Sequence, residues 1–288
     1  MTQSIPSSPR RLWRSAVLVA AILALFVAFA GAARAADYVA LGDSYAAGPV
    51  IPNQIAPFGC LKSDHNYAHL AAPTIGMALK DATCSGATTE DMTEAQSTEL
   101  GSVPPQFDSL SAETTRVSLT IGGNDIGFSE IIESCVTVNP FSTPCKDKYT
   151  AGGKDQIAER IAATAPKVDA VLDGIATRSP SARVFVVNYA AILPETGFGC
   201  WPQMPLGFGD VPYLRAKEKE LNSMLATQAA ANGATLVNWD NASIGHDACK
   251  GSSTRWVEPL VPTNPAAPVH PNLAGMTGAA AILGPVAK

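Results

Sequence analysis

Five short apolar runs, each followed by a longer stretch of helical character, restrict this chain more than any other feature it carries. The runs are Tyr38–Leu41, a weaker one at Leu79–Ala82, Val117–Ile121, Val184–Asn188 and Thr235–Asn238. Strands separated by helices cannot pair as tight hairpins, so they line up parallel, and a parallel sheet needs helices on both faces. The expected fold is therefore α/β: a single three-layer α/β/α domain around a mostly parallel five-stranded sheet. Helices are predicted from about Lys154 to Arg178, with Ile157, Ile161, Val168, Val171, Leu172 and Ile175 at helical spacing, and from about Tyr213 to Ala231, with Leu214, Leu221 and Leu225. A last helix is predicted over Leu273 to Leu283. Pro and Gly gather between Pro194 and Pro212 and between Pro259 and Pro271, which predicts long loops there. Open parallel sheets bind ligands outside the carboxyl ends of their strands, so chemistry is to be sought in the polar residues that follow each apolar run.

Ahead of the first strand, Arg10, Arg11 and Arg14 precede the uncharged apolar run from Ser15 to Phe29, and Ala33-Arg34-Ala35 supplies small residues for cleavage. Residues 1–35 are read as an export signal cleaved near Ala35, with the mature domain over 36–288 and a location outside the cell or in its envelope. A membrane anchor is the competing reading, but the run falls short of the roughly 20 residues a spanning helix needs. Residues 1–35 hold four arginines and no acid, so the remainder has 16 basic against 25 acidic residues, a net charge of −9. That balance argues against nucleic acid as a partner. All six cysteines fall in the exported part, and their even number predicts disulfides. Metal binding is the weaker reading: there is no Cys-x-x-Cys pair, and His65 and His69 lack the glutamate of a zinc-hydrolase helix. Joining neighbours along the chain gives Cys60–Cys84, Cys135–Cys145 and Cys200–Cys249.

Four segments have the residue types and placement for catalysis. Gly42-Asp43-Ser44 follows the first strand, where glycine permits a sharp turn and Ser44 opens a helix whose N-terminus favours an anion; an ordinary helix cap is the plainer reading. Cys84-Ser85-Gly86-Ala87 follows the second run, and Gly86 would let a backbone N–H approach a substrate unhindered, or serve only a tight turn. Gly122-Gly123-Asn124-Asp125 follows the third, with Asn124 either an oxyanion donor or a turn former. His270-Pro271 precedes the last helix, and of the four histidines it is the best placed to act as a base.

Together and in this order, Gly42-Asp43-Ser44, Gly86, Gly122-Gly123-Asn124-Asp125 and His270-Pro271 resemble the SGNH hydrolases, also called GDSL lipases and esterases, and the six-cysteine frame resembles their secreted actinobacterial branch. The resemblance spans nearly the whole mature chain. It implies a flavodoxin-like sheet, Ser44 as nucleophile, His270 as base, and an oxyanion hole made by the Ser44 and Gly86 backbone amides with the Asn124 side chain. It departs from the usual pattern at one place: the Asp expected three residues before the histidine is Ala267. A backbone carbonyl replaces that acid in some relatives of this branch, so the Ala267 C=O is the expected partner of His270 Nδ1, with Glu258 as the carboxylate whose presence there would overturn the expectation.

The expected activity is that of a serine carboxylic-ester hydrolase on lipid or other acyl esters, with no cofactor, a small-molecule or lipid ester as partner, transient contact with lipid surfaces, and a monomeric state. Phe198 and Trp201 in the Pro194–Pro212 loop are the candidate acyl-binding residues. A carbohydrate acetyl esterase is the alternative substrate reading. From a different class comes a secreted envelope or ligand-binding protein that keeps the fold without activity, which the missing acid at Ala267 favours and the presence of Ser44, Gly86, Asn124 and His270 opposes.

Overall fold

A computed structural model describes residues 1–2 and 38–288, so the expected export signal, apart from Met1 and Thr2, lies outside the described residues. Tyr38–Gly42 (β1), Leu79–Asp81 (β2), Arg116–Thr120 (β3), Arg183–Val187 (β4) and Thr235–Val237 (β5) form one sheet in the order β2-β1-β3-β4-β5. All four neighbouring pairs are parallel, with Tyr38 opposite Arg116, Gly42 opposite Thr120 and Val117 opposite Val184. Tyr38, Val39, Ala40 and Leu41 are wholly buried, as a strand covered on both faces must be. The polar side chains of the central strands are satisfied inside: Tyr38 Oη and Ser118 Oγ lie 2.8 Å apart, while Tyr67 Oη donates to Thr120 Oγ1, which donates to the Val187 carbonyl, both at 2.9 Å.

The helices that matter below are Ser44–Ala47 (α1), Tyr67–Ile75 (α2), Phe128–Cys135 (α3), Gln156–Arg178 (α4), Asp210–Ala231 (α5) and Leu273–Ala287 (α6). In α4 the buried residues Ile157, Ile161, Thr164, Val168, Val171, Leu172 and Ile175 make one stripe, and Asp155 caps the start by accepting the Ala158 N–H at 3.1 Å. Helices α2 and α6 pack on each other, as do α4 and α5. The chain steps from β1 to β2 in one direction and from β3 to β4 and β5 in the other, so right-handed crossovers place these two pairs on opposite faces of the sheet.

Three disulfides join Cys60 to Cys84, Cys135 to Cys145 and Cys200 to Cys249. Two small antiparallel ribbons, Gln54–Ile55 with Lys62–Ser63 and Gln96–Thr98 with Gly101–Val103, are additions the sequence pattern did not predict. Strands of two or three residues are too short to show a period.

Candidate active site

β1 ends on Gly42, where φ is +145° and an added Cβ would lie 2.5 Å from the Thr120 carbonyl oxygen, so the turn out of the sheet requires glycine. Gln106 clamps this residue from both sides: its Oε1 accepts the Gly42 N–H at 2.8 Å and its Nε2 donates to the Gly42 carbonyl at 2.9 Å. Asp43, not Ser44, is the helix cap, accepting the Tyr45 N–H at 2.9 Å. The Ser44 hydroxyl is thereby left over from the work of starting the helix. Its Oγ lies 2.8 Å from His270 Nε2.

The other ring nitrogen, Nδ1, lies 2.7 Å from the carbonyl oxygen of Pro268. This corrects the expectation for Ala267, whose carbonyl instead accepts the backbone N–H of His270 itself at 3.2 Å. Val269 adopts φ of 60°, a left-handed turn that brings the Pro268 carbonyl rather than that of Ala267 under the ring. A carbonyl can only accept, so Nδ1 carries the proton and Nε2 presents a lone pair to Ser44; the tautomer follows from this network. Burial holds the His270 imidazole below its ordinary value, partly offset by the hydrogen bond to Pro268.

Glu258 does not meet Nδ1. It is fully buried and accepts the Thr263 N–H at 2.9 Å, the Asn264 N–H at 3.1 Å and the side-chain amides of Asn264 and Asn272, each at 2.7 Å. Burial raises its carboxyl, but these donors outweigh burial and the group sits below the usual carboxylate range. The backbone N–H of Glu258 donates to the His270 carbonyl at 2.9 Å, and Tyr45 Oη donates to the Val269 carbonyl at 2.7 Å. The histidine loop is thus held from below by Glu258 and from the serine side by Tyr45.

Asn124 lines the same pocket as Ser44, and its Nδ2 donates to the Ala87 carbonyl at 2.8 Å while keeping a second hydrogen. Gly86, at φ of +83°, stands exposed in the adjoining loop, where Gln96 Nε2 braces the Ser85 carbonyl at 2.9 Å. Asp125 ties this loop to the Asn124 loop by accepting both the backbone N–H and the hydroxyl of Thr89.

Tyr189 is a member the sequence reading missed. It accepts the Gly123 N–H at 2.7 Å and donates to Asp43 Oδ2, joining the serine loop to the asparagine loop through one buried phenol. Burial lifts the Asp43 carboxyl to about 7, against the pull of hydrogen bonds from Tyr189 and the Tyr45 N–H. The available signal was position: Tyr189 is among the polar residues directly beyond the carboxyl end of β4.

Ser44 and Asn124 open on a pocket of about 770 Å³, counted with the part open to solvent, whose wall is largely apolar. Ile131 and Ile132 come from α3, Leu214 and Leu221 from α5, and Met204 and Leu206 from the long Pro/Gly loop. Phe198 and Trp201, expected here, are instead 64% and 38% exposed and outside the lining. The Thr137 N–H pairs with the Pro205 carbonyl at 2.8 Å, and this pairing turns Met204 and Leu206 inward and leaves the two aromatic residues outside. Glu218 also reaches the pocket; its Oε1 accepts the Ile192 N–H at 2.8 Å, and burial, opposed by that bond, lifts its carboxyl to about 8. Of the other histidines, His69 faces Asp81, His65 faces Asp64, and His246 stacks on Trp256.

A family described as GDSL-like lipase/acylhydrolase matches residues 40–277. The chain is 44% identical over 246 residues to Lipase 2 of Streptomyces coelicolor, spanning 83% of this chain and 81% of that one. With Lipase 1 of the same organism it shares 32% over 282 residues, 93% of this chain and 96% of that one. Among solved structures, phospholipase A1 from Streptomyces albidoflavus aligns with a TM-score of 0.72 at 27% identity, over 87% of this chain and 99% of that one. The extracellular lipase of Streptomyces rimosus aligns with a TM-score of 0.68 at 26% identity, over 86% and 98%.

Proposed function

The chain belongs to the GDSL-like lipase/acylhydrolase family and is a carboxylic-ester hydrolase, and from that premise we propose that it cleaves fatty-acyl esters through an acyl-enzyme on Ser44 with His270 as general base. His270 Nε2 takes the hydroxyl proton as Ser44 Oγ attacks the acyl carbon. The oxyanion that forms is held by the Ser44 and Gly86 backbone N–H groups and by Asn124 Nδ2, donors fixed before the reaction begins. The imidazolium then gives its proton to the leaving alcohol, and a water deprotonated by His270 releases the acid.

The observation that carries this reading is the pair of bonds on one ring: Nε2 to Ser44 Oγ at 2.8 Å and Nδ1 to the Pro268 carbonyl at 2.7 Å. A carbonyl keeps the ring in the productive tautomer, as a triad carboxylate does, although it adds no full charge to stabilise the imidazolium. The apolar pocket beside Ser44 supports an acyl chain over a sugar acetate, and relatives named lipase and phospholipase A1 support the same class. The N-terminal arginines and apolar run, with a relative titled an extracellular lipase, support secretion.

Hydrolysis of nitrophenyl esters from acetate to palmitate, by the chain from Ala36 onward and by its Ser44→Ala variant, tests the proposal. Turnover that favours longer chains and vanishes without the Ser44 hydroxyl is expected. Activity confined to acetate would point to a carbohydrate acetyl esterase, and an active Ser44→Ala protein would discard the acyl-enzyme.

A further inference from the structure

Five of the large apolar side chains exposed to solvent gather on two loops: Val136, Val138 and Phe141 on residues 136–143, and Phe198 and Trp201 on residues 197–209. Val138 and Phe141 are 93% and 83% exposed. The loops are built as one surface. Val136 bridges Leu206, the Phe208 N–H donates to the Pro140 carbonyl at 2.7 Å, and Trp201 Nε1 donates to the Thr137 carbonyl at 3.4 Å. The Phe141 and Phe198 rings flank Phe208 with centroids 5.5 and 6.4 Å from it. Cys135–Cys145 closes the base of the first loop and Cys200–Cys249 pins the second. Neither loop contains a Lys, Arg, Asp or Glu.

Aromatic side chains held out in water add little to the stability of the core, and a contiguous apolar patch on disulfide-pinned loops marks a contact surface. The same second loop turns Met204 and Leu206 inward to line the pocket that holds Ser44. Its outer side chains therefore form the patch while its inner side chains form the pocket wall.

We propose that loops 136–143 and 197–209 form a rigid face that docks on an uncharged or zwitterionic lipid–water interface and delivers ester lipid to the adjoining pocket. The choice of a lipid occupant rests on the fatty-acyl ester reading above. The lipid class follows from charge: neither loop carries a cation for anionic headgroups, the neighbouring Arg215 guanidinium being engaged by the Gly197 carbonyl at 2.7 Å, and the chain is net negative, so a face of uncharged side chains enters the headgroup region at little desolvation cost. Trp201, with an apolar ring and a polar N–H, suits that boundary.

The test uses the Ser44→Ala protein from Ala36 onward, so that binding is read whether or not Ser44 is the nucleophile. Co-sedimentation with phosphatidylcholine vesicles is expected, unaffected by salt and weakened when an anionic lipid is mixed in, with a blue shift of tryptophan emission. Adding Val138→Ser and Phe141→Ser should lower partitioning about tenfold, since binding scales with the apolar area inserted. The same two changes in the protein that keeps Ser44 should leave turnover of a water-soluble short ester unchanged, which also shows that the variant folds. Protein that stays in the supernatant, equal partitioning of the double variant, or binding that needs anionic lipid and is lost in salt would overturn the proposal. Self-association abolished by the double variant, without vesicle binding, would reassign the face to a second copy of the chain.

Discussion

The two halves of the site are built by different means. Ser44 stands at the end of a central strand, on a turn fixed by Gly42, clamped by Gln106 and joined through Asp43 and Tyr189 to the neighbouring strand's exit. His270 stands on an irregular Pro-rich loop whose shape comes from Glu258 and from a single left-handed residue, Val269. Ser44 inherits its position from the sheet; His270 has to be placed by a buried polar cluster. A missing triad acid is tolerable under the second arrangement, because whatever fixes the loop also fixes the carbonyl that orients the ring.

The largest effects should ignore this difference. Ser44→Ala and His270→Ala are each expected to lower kcat by about 10⁴-fold or more, and the double variant to lose no more than the worse single, because the pair acts as a unit. If His270→Ala stayed within tenfold of wild type on a short nitrophenyl ester, the loop side would not carry the base. Next in size, Asn124→Ala should lower kcat about 10²-fold or more with little change in KM, the loss expected for one oxyanion donor.

Positioning changes should then separate the halves. Glu258→Gln leaves four donors around a poorer acceptor, and a stability loss of about 1–3 kcal/mol in urea unfolding is expected. Activity should fall at lower urea than the global transition, as the loop opens first. Tyr189→Phe should lower kcat by about tenfold without early loss in urea, since it strips hydrogen bonds from Gly123 and Asp43 within the anchored half. Coincident activity loss and unfolding for Glu258→Gln would erase the contrast.

The smallest effects are in pH. In the proposed mechanism neutral His270 is the reactive form, and burial depresses its pKa, so the acid limb of kcat/KM should have its midpoint below the ordinary 6.5. For stability the signs oppose. Asp43 and Glu218 are raised to about 7 and about 8, so the folded chain keeps protons the unfolded chain has lost above about pH 4, and Tm should decline as pH rises through this window. Glu258 is depressed, so its contribution is present above the unfolded carboxylate value and disappears as pH falls through its folded value. Glu218→Gln should flatten the decline toward pH 8, and an unchanged slope would assign it elsewhere.

Much of this was legible in the sequence because it is local. The five strands show as apolar runs, and the serine and asparagine segments show as glycines followed by polar residues just beyond them; the strand edges moved by a residue or so. What was illegible depends on distant partners. The carbonyl under His270 is one residue from the expected one because Val269 takes a left-handed φ, which nothing in Pro-Val-His announces. Phe198 and Trp201 face outward and Met204 and Leu206 inward because residues 197–209 pair with residues 136–143, a contact between segments far apart in the chain. Tyr189 is one tyrosine among six, and only Asp43 and Gly123 on either side give it meaning.

The hydrogen bond between Ser44 and His270 spans 226 residues of sequence. The histidine, its orienting carbonyl and the Glu258 cluster all lie within residues 258–272, far along the chain from Ser44. A polypeptide cut short of residue 258 would keep Ser44 and lack the ring that meets it. The site therefore has an order of assembly: Ser44 meets its ring only once residues 258–272 are in place.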